Sequence, residues 1–392
     1  MSRRLSPECR LVFRTADPAC AASEFATLAS QVTDWERVLM LAEREMATAR
    51  VARAVVDTGK GVPGEVSPLL RRQALADELR MQYLSRRLQQ TCRILAERGV
   101  PCMLLKGAAV GALVDPTFCW RPMRDADVLV RAEDIDGAAE AIIASGWVPT
   151  TDAVLRGLLA NAHHRPPFLD PQMPGIRLEL HVALLPASHP FVLEESIMWR
   201  QACPDTGSFS GALIPTPEHL LLHAAIHFAW QHSVQFGAWR TFRVVAAASS
   251  NAEFDWDRFV TAALHARAAS SSYWTLRLAQ RMAGIPAPPD VLRRLTPSKP
   301  EWVLGALERH FIAAIAVGET PRSPSEGLTR RLWVAAMKSR HGESEHRGNW
   351  DIENRWGRAY GKASTETVAQ RFQRHTAGYR RWLSFVTDTL VG

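Results

Sequence analysis

Apolar residues between positions 22 and 58 recur every three or four residues, with Phe25, Leu28, Val32, Trp35, Leu39, Leu41 and Ala42 marking the pattern. That period keeps one face of a helix apolar, so the stretch reads as helices. A break rich in Gly and Pro, TGKGVPGEVSP at 58–68, interrupts it. A longer helix is predicted from about Leu69 to Arg98, with Leu75, Leu79, Tyr83, Leu88, Cys92 and Leu95 among its apolar positions, stopping at Gly99 before Pro101. From Val100 the pattern shortens. Strands are predicted at 101–105, 125–130 and 176–184, helices at 108–114 and 133–145, and a further extended piece at Trp147-Val148-Pro149. After Pro215 helical spacing returns, at 217–232, about 238–250, 255–269, 272–283, 301–317, 327–339 and 364–390, with a polar loop over 339–358. The reading is an α+β protein in three regions: helices over 1–98, an α/β core with a small mixed sheet over 99–214, and a helical domain over 215–392.

Candidate chemistry concentrates in the α/β core. Strand side chains alternate between two faces, so Asp125 and Asp127 emerge together while Ala126 and Val128 turn inward. Two carboxylates about 6–7 Å apart along a strand suit a shared divalent cation. In the strand IRLELHVAL, Arg177, Glu179 and His181 share one face. A glutamate at the centre of such a strand needs a partner. Glu179 is therefore a candidate third carboxylate, the alternative being an ion pair with Arg177 or a surface arginine. Lys106 and Gly107 end the first strand, and Gly107 and Ala108 let backbone amides approach phosphate closely. Arg121 and Arg124 offer guanidinium forks that match phosphate oxygens, although Arg124 could instead simply offset Asp125 or Asp127. Together these point to phosphoryl or nucleotidyl transfer, in which two ions flank the reacting phosphorus.

Composition narrows the classes without choosing among them. With 47% hydrophobic and 22% charged residues, the 392-residue chain reads as globular, and its length predicts two or three domains. No apolar run is long enough to span a bilayer, and the N-terminus lacks the apolar stretch of a secretory signal. Six cysteines without a CxxC pair argue for reduced thiols, and so for a cytoplasmic setting, and against a thiolate zinc site. The net charge of +7 is modest, and no basic stripe is interleaved with aromatics, which argues against nucleic acid as a partner.

The ordered set Lys106-Gly107, Arg-x-x-x-Asp-x-Asp ending at Asp127, and Glu179-x-His181 is similar to the polymerase-beta nucleotidyltransferase superfamily. More narrowly, "LLKGAAVGAL", "RPMRDADVLV", "SGW", "LELHVAL" and "PTPEHLLLHAAIHFAW" resemble an uncharacterised bacterial nucleotidyltransferase family, well over residues 100–250 and poorly in the flanks. The resemblance implies a polymerase-beta-like core that moves a nucleoside monophosphate from an NTP such as ATP, with Mg²⁺ or Mn²⁺ and release of pyrophosphate. Asp125, Asp127 and Glu179 would be the catalytic metal ligands. Lys106, Gly107, Ala108, Arg121, Arg124 and His181 would bind the nucleotide. Relatives near genes for peptide modification, lasso peptides included, imply a peptide or small-molecule acceptor. Other transfers (phosphoryl or glycosyl) and nucleotide or peptide binding without catalysis are the alternatives. This chain departs from the usual pattern at Ala108, where a serine or glycine is expected, at Ala126, and in the 115–120 loop.

Other groupings are weaker. His219, His223 and His227 follow at i, i+4 and i+8, and successive turns rise about 5.4 Å, so one ion cannot meet all three. A helix packed on the sheet, with a histidine such as His227 near the nucleotide, is the expectation. His163-His164 and the following RPPFLDPQMPG read as a surface loop near the site that could help form an acceptor pocket. Trp120 could stack on a base, but packing is the simpler role.

Overall fold

A computed structural model describes residues 5–58, 61–114, 122–150, 163–173, 175–185, 191–232 and 234–317. The expected helices at 327–339 and 364–390, the loop at 339–358, Trp120 and Arg121 lie outside the described residues. In chain order come α1 (Pro7–Arg14), α2 (Ala22–Ala29), α3 (Trp35–Arg44), α4 (Thr48–Thr58) and α5 (Val66–Glu97). Then follow β1 (Cys102–Leu104), α6 (Lys106–Val114), β2 (Asp125–Val130), α7 (Ile135–Ala144), β3 (Val148–Pro149), β4 (Phe168–Leu169) and β5 (Arg177–His181). Next are α8 (Glu195–Gln201), β6 (Cys203–Pro204), β7 (Ala212–Ile214) and α9 (Pro217–Ile226), which runs into a π-helical turn at His227–Gln231. The described chain ends with α10 (Ala238–Ser249), α11 (Trp256–His265), α12 (Ala269–Leu278), α13 (Pro289–Leu295) and α14 (Glu301–Val317). The protein is thus α+β, and no described helix is long and apolar enough to cross a membrane.

The strands form one mixed sheet in the order β3-β4-β5-β2-β1-β7-β6. At its centre β2 runs parallel to β5 and antiparallel to β1. Alternation sends the two faces of these strands into different cores. Cys102, Leu104, Ala126, Val128, Leu178 and Leu180 join the buried residues of α5, α6 and α7. Met103, Leu105 and Leu129 point the other way, into a core that unites α1–α4 with α9–α14. That second core holds first and last helices together: Phe13 and Phe242 sit 6.0 Å apart between ring centres, and Arg14 donates to the Ala283 carbonyl at 2.7 Å. Which helices would share a core is not encoded in their period.

The Pro-rich segment after His164 is not a surface loop. Phe168-Leu169 pairs with both β3 and β5, and Phe168 and Asp170 are buried. Asp170 ties the segment to α5: its carboxylate accepts from Arg87 Nε at 2.7 Å, from Tyr83 Oη at 2.9 Å and from the amides of Gln172 and Met173 at 2.9 Å each. Arg87 also covers the Trp147 ring, whose Nε1 donates to Thr91 Oγ1 at 2.9 Å. Burial opposes the Asp170 charge, but Arg87, the Met173 amide and Tyr83 outweigh it and hold the pKa below the usual value. Tyr83→Phe removes one of these bonds and leaves the ring, so a loss of about 1 kcal/mol is expected in urea titrations. A change below about 0.3 kcal/mol would show that the hydroxyl is idle. The short elements α1, α8, α13, β6 and β7 carry too few residues for their periodicity to predict them.

Candidate active site

Register, rather than residue type alone, assembles the acidic site. Because β2 and β5 are parallel neighbours, Asp127 lies opposite Glu179 and Leu129 opposite His181, all on the face turned toward the helical core. His181 Nε2 meets Asp127 Oδ1 at 2.9 Å and lies 3.6 Å from Glu179 Oε2. Ligand atoms of Asp127, Glu179 and His181 all fall within 4.8 Å of one another, a set that could hold one metal ion. Asp125 is on the same strand face and borders the same cavity, but is not in that set. Two carboxylates and an imidazole fit a hard divalent cation, with the nitrogen suiting Mn²⁺ better than Mg²⁺. His181 Nδ1 is buried with no hydrogen-bond partner, so its ring can still tilt toward an ion.

Lys106 closes the third side. Its Nζ donates to Asp127 Oδ1 at 2.7 Å, across from His181. It begins α6 with φ at +45°, a left-handed conformation that L-residues other than Asn and Asp rarely take. The strain this costs is of order 1 kcal/mol. Burial opposes the charge on Asp127, yet Lys106 and His181 hold its pKa well below the ordinary carboxylate value. Asp125 lacks such partners. Burial, Asp127 and Glu179 push its pKa up, which is the electrostatic signature of a site with excess negative charge. Lys106 and His181 respond in kind. Burial opposes their protonation, but the surrounding carboxylates raise both pKa values.

The carboxylates form the floor of a cavity of about 350 Å³ that also includes Lys106 and Gly107. Among the described residues, six imidazoles border it: His163, His164 and His181 from the sheet side, and His223, His227 and His232 from the helical side. The rings are in contact, with His164 and His181 centres 5.1 Å apart and His227 and His232 4.4 Å apart. Burial keeps most of them neutral, pushing His223 down to about 3 and His232 to about 4. The π-helical turn after α9 brings His227 and Gln231 to this wall, and such turns often occur at functional sites. His163-His164, expected near the site, is indeed at the cavity: His164 bridges to His181, and the His163 carbonyl accepts from Val182 at 2.9 Å.

Other expected residues fall elsewhere. His219 leaves the cavity and meets Thr216 Oγ1, the cap of α9, at 3.1 Å. Ala108 is buried within α6, and its amide already donates to the Leu105 carbonyl at 3.1 Å. Arg124 is exposed, does not border the cavity, and exerts its charge on Asp77 of α5. The helical side lines the cavity with Arg240, Gly237 and Thr241. No periodicity announces these residues, because their placement at the cavity depends on how α10 packs against α6.

A family model described as an uncharacterised nucleotidyltransferase matches residues 31–284. No curated protein and no solved structure matches the chain.

Proposed function

Since the chain belongs to the uncharacterised nucleotidyltransferase family, we propose that it is a metal-dependent enzyme of the polymerase-beta superfamily. It would move a nucleoside monophosphate from an NTP to a hydroxyl or phosphate of a peptide, protein or small molecule. The observation that carries this reading is the pairing of Asp127 with Glu179 across parallel strands, beside Lys106 at the start of α6. In the reaction an acceptor oxygen bonds to the α-phosphorus, the bond to the β-phosphate oxygen breaks, and pyrophosphate leaves. The acceptor's proton goes to water. Asp127 and Glu179 would hold Mg²⁺ or Mn²⁺, with Asp125 free to share a second ion. Bound there, the metal would neutralise charge on the phosphates and acidify the acceptor hydroxyl. His181 fixes the orientation of Asp127, and Lys106, beside it, would contact the phosphates. The 350 Å³ cavity beside the carboxylates offers room for part of the nucleotide or the acceptor.

The direct test incubates the protein with each NTP and Mg²⁺ or Mn²⁺, and follows pyrophosphate and the mass of candidate peptide and small-molecule acceptors. A gain equal to one nucleoside monophosphate supports the reading. Metal-dependent NTP binding with no pyrophosphate would point instead to a binding protein. The metal itself is tested by melting. Saturating Mn²⁺, at about 100 times its dissociation constant, should raise the melting temperature by about 3–6 °C. EDTA should reverse the rise, and Glu179→Gln should largely lack it. An equal rise in that variant would move the ion elsewhere.

A further inference from the structure

Of the described residues bordering the cavity, only Lys106 and Arg240 carry a permanent positive charge. Lys106 is committed to Asp127 at 2.7 Å. Arg240 makes no ion pair or hydrogen bond with the described residues, although its charge is felt by Asp125, Glu45 and His232. A guanidinium left unpaired at the wall of an acidic cavity needs an explanation, since nearby carboxylates would ordinarily claim it. Its position is built rather than accidental. The side chain folds back over Gly237, whose φ of +68° favours glycine, and a Cβ there would lie 2.9 Å from the guanidinium. The N-terminal amides of α10 are not what would draw an anion here, because Trp239 already donates its amide to the buried Glu45 at 3.1 Å. On the helical side, burial holds the imidazoles of His223, His227 and His232 neutral, so they add no cation. His223 nonetheless lines the same cavity, almost fully buried, with Nε2 unpartnered, so polar groups there await a ligand.

We propose that Arg240, seated in the Gly237 notch, binds the β- and γ-phosphates of the nucleotide from the helical side of the cavity. The inference rests on the nucleotidyl-transfer reading of the carboxylate site, and it assigns to α10 a role that the sequence pattern gave to Arg124. The fork of Arg240 suits two oxygens of adjacent phosphates, whereas the α-phosphorus would stay with the metal-bearing carboxylates. Because α10 packs on α6, the two ends of a triphosphate meet Arg240 and Lys106 from neighbouring helices.

The test uses ATP, inorganic tripolyphosphate and AMP, each with Mn²⁺, and calorimetry on the full chain. Arg240→Ala should weaken ATP and tripolyphosphate by about 10- to 100-fold and change AMP by no more than about threefold. Arg240→Lys, which keeps the charge and loses the fork, should fall between. Gly237→Ala, which displaces the guanidinium without removing it, should reproduce the loss. Equal tripolyphosphate affinity in wild type and Arg240→Ala overturns the subsite. So does a parallel loss of AMP, which would mark general damage to the cavity. Arg240-dependent binding of tripolyphosphate by a wild type that binds no ATP would retain the subsite and sink the nucleotidyl-transfer reading instead.

Discussion

Asp127→Asn is expected to lower NTP turnover by about 1000-fold or more, the largest functional effect of any single change at this site. The amide keeps the shape of the carboxylate and can still accept from Lys106, but it cannot serve as an anionic metal ligand. Three partners converge on Asp127: Lys106 at 2.7 Å, His181 at 2.9 Å and Glu179 opposite it in the next strand. Removing its charge leaves the Lys106 ammonium without its partner over a 3%-exposed position, so stability should fall as well. The two effects separate in Asp127→Asn/Lys106→Met, which removes one uncompensated cation and should recover part of the melting temperature without recovering turnover. Turnover within about tenfold of wild type in the single variant would remove Asp127 from the chemistry.

The largest stability effect is expected far from the carboxylates. Trp239→Ala should destabilise the protein by about 3–5 kcal/mol, a large share of the 5–15 kcal/mol typical of a folded domain. Trp239 is fully buried, and its Nε1 donates to Thr15 Oγ1 at 3.0 Å. The ring therefore joins α10 to the first helix of the chain, and its loss opens a cavity where the N-terminal helices meet those that follow the sheet. Urea unfolding followed by circular dichroism measures the effect. A loss below about 1 kcal/mol would show that the two groups of helices pack independently. Because α10 also carries Arg240 and Thr241 to the cavity, the same variant should bind ATP more weakly even where it remains folded.

The acidic core was legible because both signals that define it are short-range. Alternation along DADVLV put Asp125 and Asp127 on one face, and alternation along IRLELHVAL did the same for Glu179 and His181. What the alternation could not supply was the register of β2 with β5, which makes Glu179 the partner of Asp127 and leaves Asp125 outside the tight set. Nor could it reveal that both faces of β2 are covered, one by α5 and α7 and the other by the helical core. Helical spacing located α9 and α10 to within a few residues, and it identified His223 and His227 as neighbours on one face. It said nothing of the π-helical turn that brings His232 beside them, nor of Arg240 reaching back over Gly237, since both follow from long-range packing.

The left-handed backbone at Lys106 has a bearing on how this protein trades one property against another. Glycine there would relieve the strain at once, but it would also remove the partner of the buried Asp127. Lysine at that place makes folding harder in exchange for an ammonium group held against Asp127 before any nucleotide arrives. Lys106→Gly would recover about 1 kcal/mol of backbone strain and lose about 3–5 kcal/mol by leaving Asp127 buried among carboxylates without its cation, so the strained backbone is the lesser cost.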